Sequence, residues 1–270
     1  MWGLGLMIFF TLVALLAPLL AEAKTIDPSY SITSSTPAYH APSVAYPFGT
    51  DYLSRSVLSL VIWGSRISLL VGLAATVVTM VLGAGVGIIS GFFGGWTDKL
   101  LNALTNWFLV IPWIALAIIL ASILGATLFN IILVIGITSW AGTARLVRAQ
   151  TLTVKERPYV ERARALGASD WHLVTRHILP NVFPVIFANT ILTVALSILS
   201  ETTLSLLGLG DPNAVSWGKI LDDAFRHGAL TIGDWWWVTF PGLAIVLLVL
   251  AFTMCGYAFD EIINPKLRDR

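Results

Sequence analysis

The sequence predicts an all-α integral membrane protein of six transmembrane helices, with a charged segment, 154–184, held outside the bilayer between spans 4 and 5. Three observations predict it. Hydrophobic residues make up 57 % of the 270-residue chain and charged ones only 11 %, where soluble domains carry about a quarter; mean hydropathy is +0.83. The apolar residues gather in uncharged runs that reach or exceed the roughly 20 helical residues a bilayer core requires. Between two of these runs the chain keeps the polar island 154–184, which has helix signals of its own.

Trp2–Ala21 carries no charge and reads as span 1, about 2–21. Ala21-Glu22-Ala23 has the A-x-A form of a signal-peptide cleavage site, but no Lys or Arg precedes the apolar run, and a retained span is the expectation. Residues 24–66 are polar and read as an external loop. Ile67–Thr97 has no charged residue and yields span 2 at 68–92. Within it Gly83, Gly87, Gly91 and Gly95 fall at four-residue steps, a small-residue stripe that admits a close helix neighbour; a gating hinge is the other reading. Asp98-Lys99 marks a turn. The uncharged run Leu100–Ala144 is too long for one span, so it divides into spans 3 and 4, at 103–124 and 129–149, with a bend at Gly125–Asn130. Pro112 kinks span 3, and Arg145 and Arg148 snorkel from span 4 to the headgroups. Val185–Gly208 is span 5, interrupted by Glu201 alone. Residues 211–234 form a second external loop. Trp235, Trp236 and Trp237 then make an interfacial belt before span 6 at 238–259. Together the spans and loops form a single transmembrane domain over residues 1–270.

In the island, Pro158 suits the first helical turn. Tyr159, Ala163 and Leu166 recur at helical spacing, and Gly167 stands where a left-handed residue ends a helix. Ser169 and Asp170 cap a second short helix through His177, with Trp171, Val174 and Ile178 on one side; Pro180 and Pro184 stop it. By composition alone the island is a basic topology loop, a helix pair resting on headgroups, or a surface offered to a soluble partner.

Of 16 Lys and Arg residues, eleven fall on the side of the island and five opposite when the N-terminus lies on the island's side. The positive-inside rule then puts the island and both termini in the cytoplasm. A net charge of +1 gives no nucleic-acid footprint. The single cysteine, Cys255, excludes an intrachain disulfide and a CxxC site. No G-x-x-x-x-G-K-[ST] occurs, since Gly218-Lys219 is followed by Ile220, so the chain does not cradle ATP phosphates by that device. His40, His172, His177 and His227 all lie outside the expected spans, which argues against a metal site or proton relay there. Glu201 is costly inside a bilayer and faces the translocation path, a subunit interface or a local hydrogen-bond partner. A proton-coupling carboxylate is a further reading.

Several strings resemble those of one family. Glu161-Arg162-Ala163, Gly167 and Ile178-Leu179-Pro180 look like the EAA loop of binding-protein-dependent ABC importer permeases, with Arg162 where the motif's first Ala stands. The longer string from Tyr159 to Asn181 is similar to the dipeptide/oligopeptide/nickel permease group. Pro47-Phe48-Gly49-Thr50-Asp51, the run Glu201-Thr202-Thr203-Leu204-Ser205-Leu206-Leu207-Gly208-Leu209-Gly210, Ser216-Trp217-Gly218 and Asn264-Pro265-Lys266 also resemble the family. The resemblance implies a non-catalytic permease subunit of a bacterial or archaeal cytoplasmic membrane, forming half of a translocation path. Its partners would be a second homologous permease chain, two cytoplasmic ATPases that bind ATP and Mg, and an extracytoplasmic substrate-binding protein. Tyr159, Glu161, Ala163, Arg164, Leu166 and Gly167 would contact the ATPase. Glu201, Gly83, Gly87 and Gly91 are candidates for the path or the subunit interface. Peptide is the expected substrate; nickel, glutathione or oligosaccharide are alternatives, and an ion-coupled carrier acting alone is the reading from a different class.

Overall fold

The structure, a computed structural model, describes residues 2–27 and 36–263. Among the described residues regular structure is helical, apart from an isolated antiparallel bridge between Thr50 and Ser56. Helix α1 is Trp2–Leu20, α2 Val57–Phe93, α3 Gly95–Val110, α4 Trp113–Leu124 and α5 Leu128–Lys155. Two short helices, α6 (Pro158–Ala165) and α7 (Asp170–Leu173), precede a π-turn at Val174–Ile178 that runs straight into α8, Leu179–Leu206. Helices α9 (Trp217–Arg226), α10 (Ala229–Ile232) and α11 (Trp235–Ile263) follow.

Among the described residues, five helical runs are long and apolar enough to cross a membrane: α1, α2, α5, the continuous run Asp170–Leu206, and α11. Helices α3 and α4 make a sixth if taken as one span, bent by 92°. The bend has a local cause. Ile111, the residue before Pro112, is extended at φ −70° and ψ 127°, because the proline ring disfavours helical backbone in the residue before it.

Packing between α2 and α5 decides what the bent pair does. A Cβ added to Gly136 would meet Val78; one added to Gly83 would meet Trp140 and Thr143, to Gly87 Ala144 and Val147, and to Gly91 Arg148 and Thr151. Residue numbers rise together along both helices, so α2 and α5 run parallel. A chain that leaves α2 at one face and enters α5 at the other has crossed the bilayer once in between. Helices α3 and α4 together are therefore one broken span, not a re-entrant hairpin, which makes six crossings among the described residues.

Four boundaries differ from those read in the sequence. Helix α2 begins at Val57, inside the expected external loop 24–66, because Arg66 marks the edge of the uncharged run and not the end of the helix. The turn expected at Asp98-Lys99 lies at Gly94 and Gly95, with φ 68° and 55°, and Asp98 sits in the first turn of α3. Pro180 and Pro184 do not stop the second island helix. The π-turn Val174–Ile178 widens the backbone just before the Pro180 ring, and the Asn181 amide donates to the His177 carbonyl at 2.7 Å. The loop 211–234 is largely helical, containing α9 and α10.

The chain divides into two compact units. One comprises the residues to Leu73, Ala121–Ile131 and Ala195–Met254. Within it, the Trp63 indole donates to the Ala21 carbonyl at 3.0 Å, joining the end of α1 to α2. Phe10 meets Trp217 edge-on at 5.7 Å, and Phe48 stacks on Phe240 at 3.9 Å. Arg55 bonds Asp51 at 2.6 Å and approaches Asp223 on α9 at 3.7 Å; burial pushes the Asp51 carboxyl up, against the pull of Arg55. The other unit comprises Ala74–Leu120, Ile132–Val194 and the segment from Cys255. Its core joins Met80, Ile88 and Phe92 of α2 to Val147 and Val154 of α5, with Val160, Leu173, Ile178, Val182 and Ile186.

Candidate coupling surface and buried carboxylate site

Helix α6 is built by its ends. Pro158 occupies its first turn after an extended Arg157, where the missing N–H costs nothing. At the other end Gly167 adopts φ +85°. Its N–H bonds the Arg164 carbonyl at 3.0 Å and that of Ala168 bonds the Ala163 carbonyl at 3.1 Å, the paired pattern of a Schellman cap. Ser169 then caps α7 by accepting from the His172 N–H at 3.3 Å.

The side chains of α6 divide between an anchor and a display. Val160 is fully buried in the core of its unit, and Ala163 is partly buried against it. Tyr159, Glu161, Arg162, Arg164, Leu166 and Gly167 are exposed. Leu166 is 88 % and Trp171 77 % exposed, so both are displayed and not packed. The inward residue is Val160, one position from Tyr159; its signal was a β-branched residue three before Ala163 on a short helix. Lys155 and Arg164 both stand near the Phe92 ring, at 5.8 and 5.9 Å. Tyr159 lies 6.0 Å from the His177 ring. Among the described residues, six candidates for partner contact thus share one short helix and its cap, tied to the ends of α2, α5 and α8.

Gly83, Gly87 and Gly91 line the seam against α5 of the same chain, the close helix neighbour that their four-residue spacing admits. A Cβ on Gly83 would lie 2.8 Å from the Trp140 carbonyl oxygen, one on Gly87 2.7 Å from that of Ala144, and one on Gly91 3.0 Å from that of Arg148. The stripe brings two backbones together. Gly95, the fourth member by sequence, leaves it for the α2–α3 turn. Below the turn, Arg148 grips Asp98 through two bonds of 2.6 Å, and the Ser90 hydroxyl donates to the same carboxylate at 2.5 Å. The sequence reading left Arg148 snorkelling and did not pair it, since its partner lies 50 residues away.

Glu201 lies within α8, 2 % exposed. Ser205, one turn on, donates to its Oε1 at 2.8 Å, and the Ser68 hydroxyl of α2 stands 3.5 Å from Oε2. Ser68 also accepts the Trp217 backbone N–H at 3.2 Å, and the Trp217 indole donates to the Val61 carbonyl at 2.8 Å. Gly218 sits where a Cβ would meet Thr202 Cα at 2.8 Å. Of the readings open from the sequence, the local one describes this geometry: a carboxylate ringed by hydroxyls where the N-terminus of α9 is seated on α8 and α2. The sequence reading missed α9. Its signals were Ser216 as an N-cap, bonded by the Lys219 N–H at 3.2 Å, and the apolar spacing of Trp217, Ile220, Leu221 and Ala224. Among the described residues no cluster of His, Cys, Asp or Glu has metal-binding geometry.

The class these features define is a polytopic α-helical membrane protein that displays a short capped helix between two of its long apolar ones. The profile of one family, the inner membrane component of binding-protein-dependent transport systems, matches residues 83–269. The glutathione transport system permease protein GsiD of Pectobacterium atrosepticum is 36 % identical over 228 residues, covering 84 % of this chain and 75 % of that one. The dipeptide transport system permease protein DppC of Alkalihalophilus pseudofirmus is 34 % identical over 269 residues, covering 98 % and 85 %. An inward-facing structure of the MetNI methionine ABC transporter shares the fold at a TM-score of 0.60 and 19 % identity, covering 77 % of this chain and 96 % of its own. The chain belongs to the family of binding-protein-dependent transport system inner membrane components, and is a permease subunit of an ABC importer.

Proposed function

We propose that the protein forms half of the translocation path of an importer for di- and oligopeptides, driven through α6 by an ATPase that is a separate chain. In this reading a second homologous permease supplies the other half, two cytoplasmic ATPases bind ATP and Mg, and an extracytoplasmic binding protein delivers the substrate. The chain itself holds no cofactor and catalyses no reaction. Both termini and α6 face the cytoplasm, in keeping with the eleven-to-five partition of cations. The peptide assignment is supported by relatives named for dipeptide transport; the relative named for glutathione transport matches one of the alternatives.

One observation carries the coupling role: α6 displays Tyr159, Glu161, Arg164 and Leu166 while Val160 is wholly buried among residues of α2, α5 and α8. Burying such a side chain contributes about 1.5–3 kcal/mol, enough to make the small helix move with the span ends. Glu161 is available to an ATPase cation, and Ala163 and Gly167 allow a close seat. Closure of the ATPases on ATP then displaces α6, and the attached spans turn as a rigid group from inward- to outward-facing.

The test is Gly167→Pro and Ala163→Asp in the reconstituted complex with its ATPases and binding protein. Transport-coupled ATP hydrolysis is expected to be lost with the chain still inserted. Wild-type coupling in both variants would refute the lever, and dipeptide uptake by the purified chain alone, driven by an ion gradient, would refute the importer reading.

A further inference from the structure

Two cavities in the first unit meet at one residue, Arg66. The first, about 350 Å³, is an apolar groove whose walls include Met7, Thr11 and Leu15 of α1, Leu69 and Leu73 of α2, and Phe252 of α11. The second, about 550 Å³, is bounded by Trp63, Arg66, Leu70, Asp211 and Val215 among others. Arg66 is exposed, its guanidinium carbon 5.2 Å from the centre of the Trp63 ring. None of the ion pairs among the described residues includes it, and Asp211 is likewise absent from them. Asp211 is held in place by the Leu128 N–H at 3.0 Å and the Asn213 N–H at 2.9 Å. One cavity thus presents a cation and a tethered anion that form no ion pair with each other.

Depth identifies the occupant. Arg66 is the last charge before the uncharged stretch of α2, and Trp63 beside it is tied to Ala21 at the end of α1. Both belong at headgroup level, where tryptophan and arginine concentrate. From there the groove descends along α1 from Leu15 to Met7, about 12 Å at the helical rise, most of a leaflet's roughly 15 Å of hydrocarbon. The apolar trough calls for a chain, and the paired charges above it for a zwitterionic head. We propose that this cleft is a site for a zwitterionic aminophospholipid, with one acyl chain in the groove, the phosphate on Arg66 and the ammonium at Asp211. Arginine's planar fork suits a phosphate, and the carboxylate selects a protonated amine over the uncharged glycerol head of phosphatidylglycerol.

The test uses the full-length chain reconstituted with phosphatidylethanolamine and phosphatidylglycerol in equal amounts, then re-extracted and weighed by native mass spectrometry. One phosphatidylethanolamine per chain is expected to persist. Arg66→Gln should lower its occupancy roughly tenfold, the scale of a lost charged hydrogen bond. Asp211→Asn keeps an oxygen for the Leu128 N–H and should shift the preference toward phosphatidylglycerol. Leu69→Trp, which fills the groove and leaves both charges, should also expel the lipid, and gives a reading if Arg66→Gln fails to insert. The proposal is overturned by equal retention of both lipids, by no retention, by Arg66→Gln and Leu69→Trp chains that keep the lipid, or by displacement with a dipeptide, which would make the cleft a substrate site.

Discussion

Two neighbouring glycines of α2 are expected to respond to the same substitution with opposite sign. At Gly87 an added Cβ would stand 2.7 Å from the Ala144 carbonyl oxygen and 2.8 Å from Val147 Cβ, short of ordinary contact by about 0.6–0.7 Å. Neither neighbour yields by turning a side chain; α5 itself would have to retreat. At Gly85, two residues earlier, nothing lies within 4 Å. Both Gly→Ala changes gain helix propensity of up to about 1 kcal/mol, so that contribution cancels between them. What remains is the overpacking at Gly87, about 1–3 kcal/mol. At roughly 2–4 °C per kcal/mol, the midpoints of the two variants should separate by several degrees, with Gly85→Ala at or above wild type and Gly87→Ala below it. Thermal unfolding of the purified chain in one detergent, followed by circular dichroism, measures this. Indistinguishable midpoints would mean that α2 and α5 are not in contact as described, and would remove the argument that α3 and α4 make a single crossing.

Other outcomes follow from the same geometry. Val160→Ala should lower stability by roughly 1.5 kcal/mol from the methyl groups removed and weaken ATPase stimulation in the reconstituted complex, whereas Leu166→Ala should leave the midpoint unchanged and weaken co-purification of the ATPase. Glu201→Leu leaves the Ser205 and Ser68 hydroxyls without their acceptor and should cost about 1–3 kcal/mol; Glu201→Gln keeps an acceptor and should retain ATP-driven uptake within about twofold, while a proton-coupled carrier would lose transport. Gly167→Ala puts a Cβ at φ +85° without meeting any neighbour, so only backbone strain of about 1–2 kcal/mol applies, and hydrogen exchange should show the end of α6 fraying with the spans unaffected.

Much of this architecture was legible because the bilayer writes strong signals. Uncharged length found six crossings, and Pro158, Gly167 and Ser169 delimited the short helices by capping chemistry. What stayed hidden had physical reasons. Arg66 marks a charge boundary, yet a helix continues through the membrane edge wherever its polar side reaches water, so α2 starts earlier at Val57. Pro180 was taken as a stop, yet a π-turn absorbs a proline without ending the helix. Burial of Val160 depends on which side of α6 meets distant segments, and an eight-residue helix has too few apolar positions for periodicity to choose. The Glu201 setting required Ser68, 133 residues away in sequence, so only its cost could be read in advance, not its partners.

Repetition along the α2–α5 seam carries its own consequence. Notches cut at every fourth residue look alike, so sliding one rod past the other by four residues, about 6 Å, would bring Gly83 to the level of Gly87 and recreate much of the same fit. The seam alone does not fix how far along each other the two rods sit. Register is set by contacts outside the stripe: Val78 lodged over Gly136, where the knob is bulky and the hole single, the Lys155 ammonium on the Phe92 carbonyl at 2.5 Å, and Asp98, held by Arg148 of α5 and Ser90 of α2 together. Closeness and register are thus set by different residues: the glycines let the two rods approach, and the bulkier and charged side chains at the ends of the seam fix where along each other they stop.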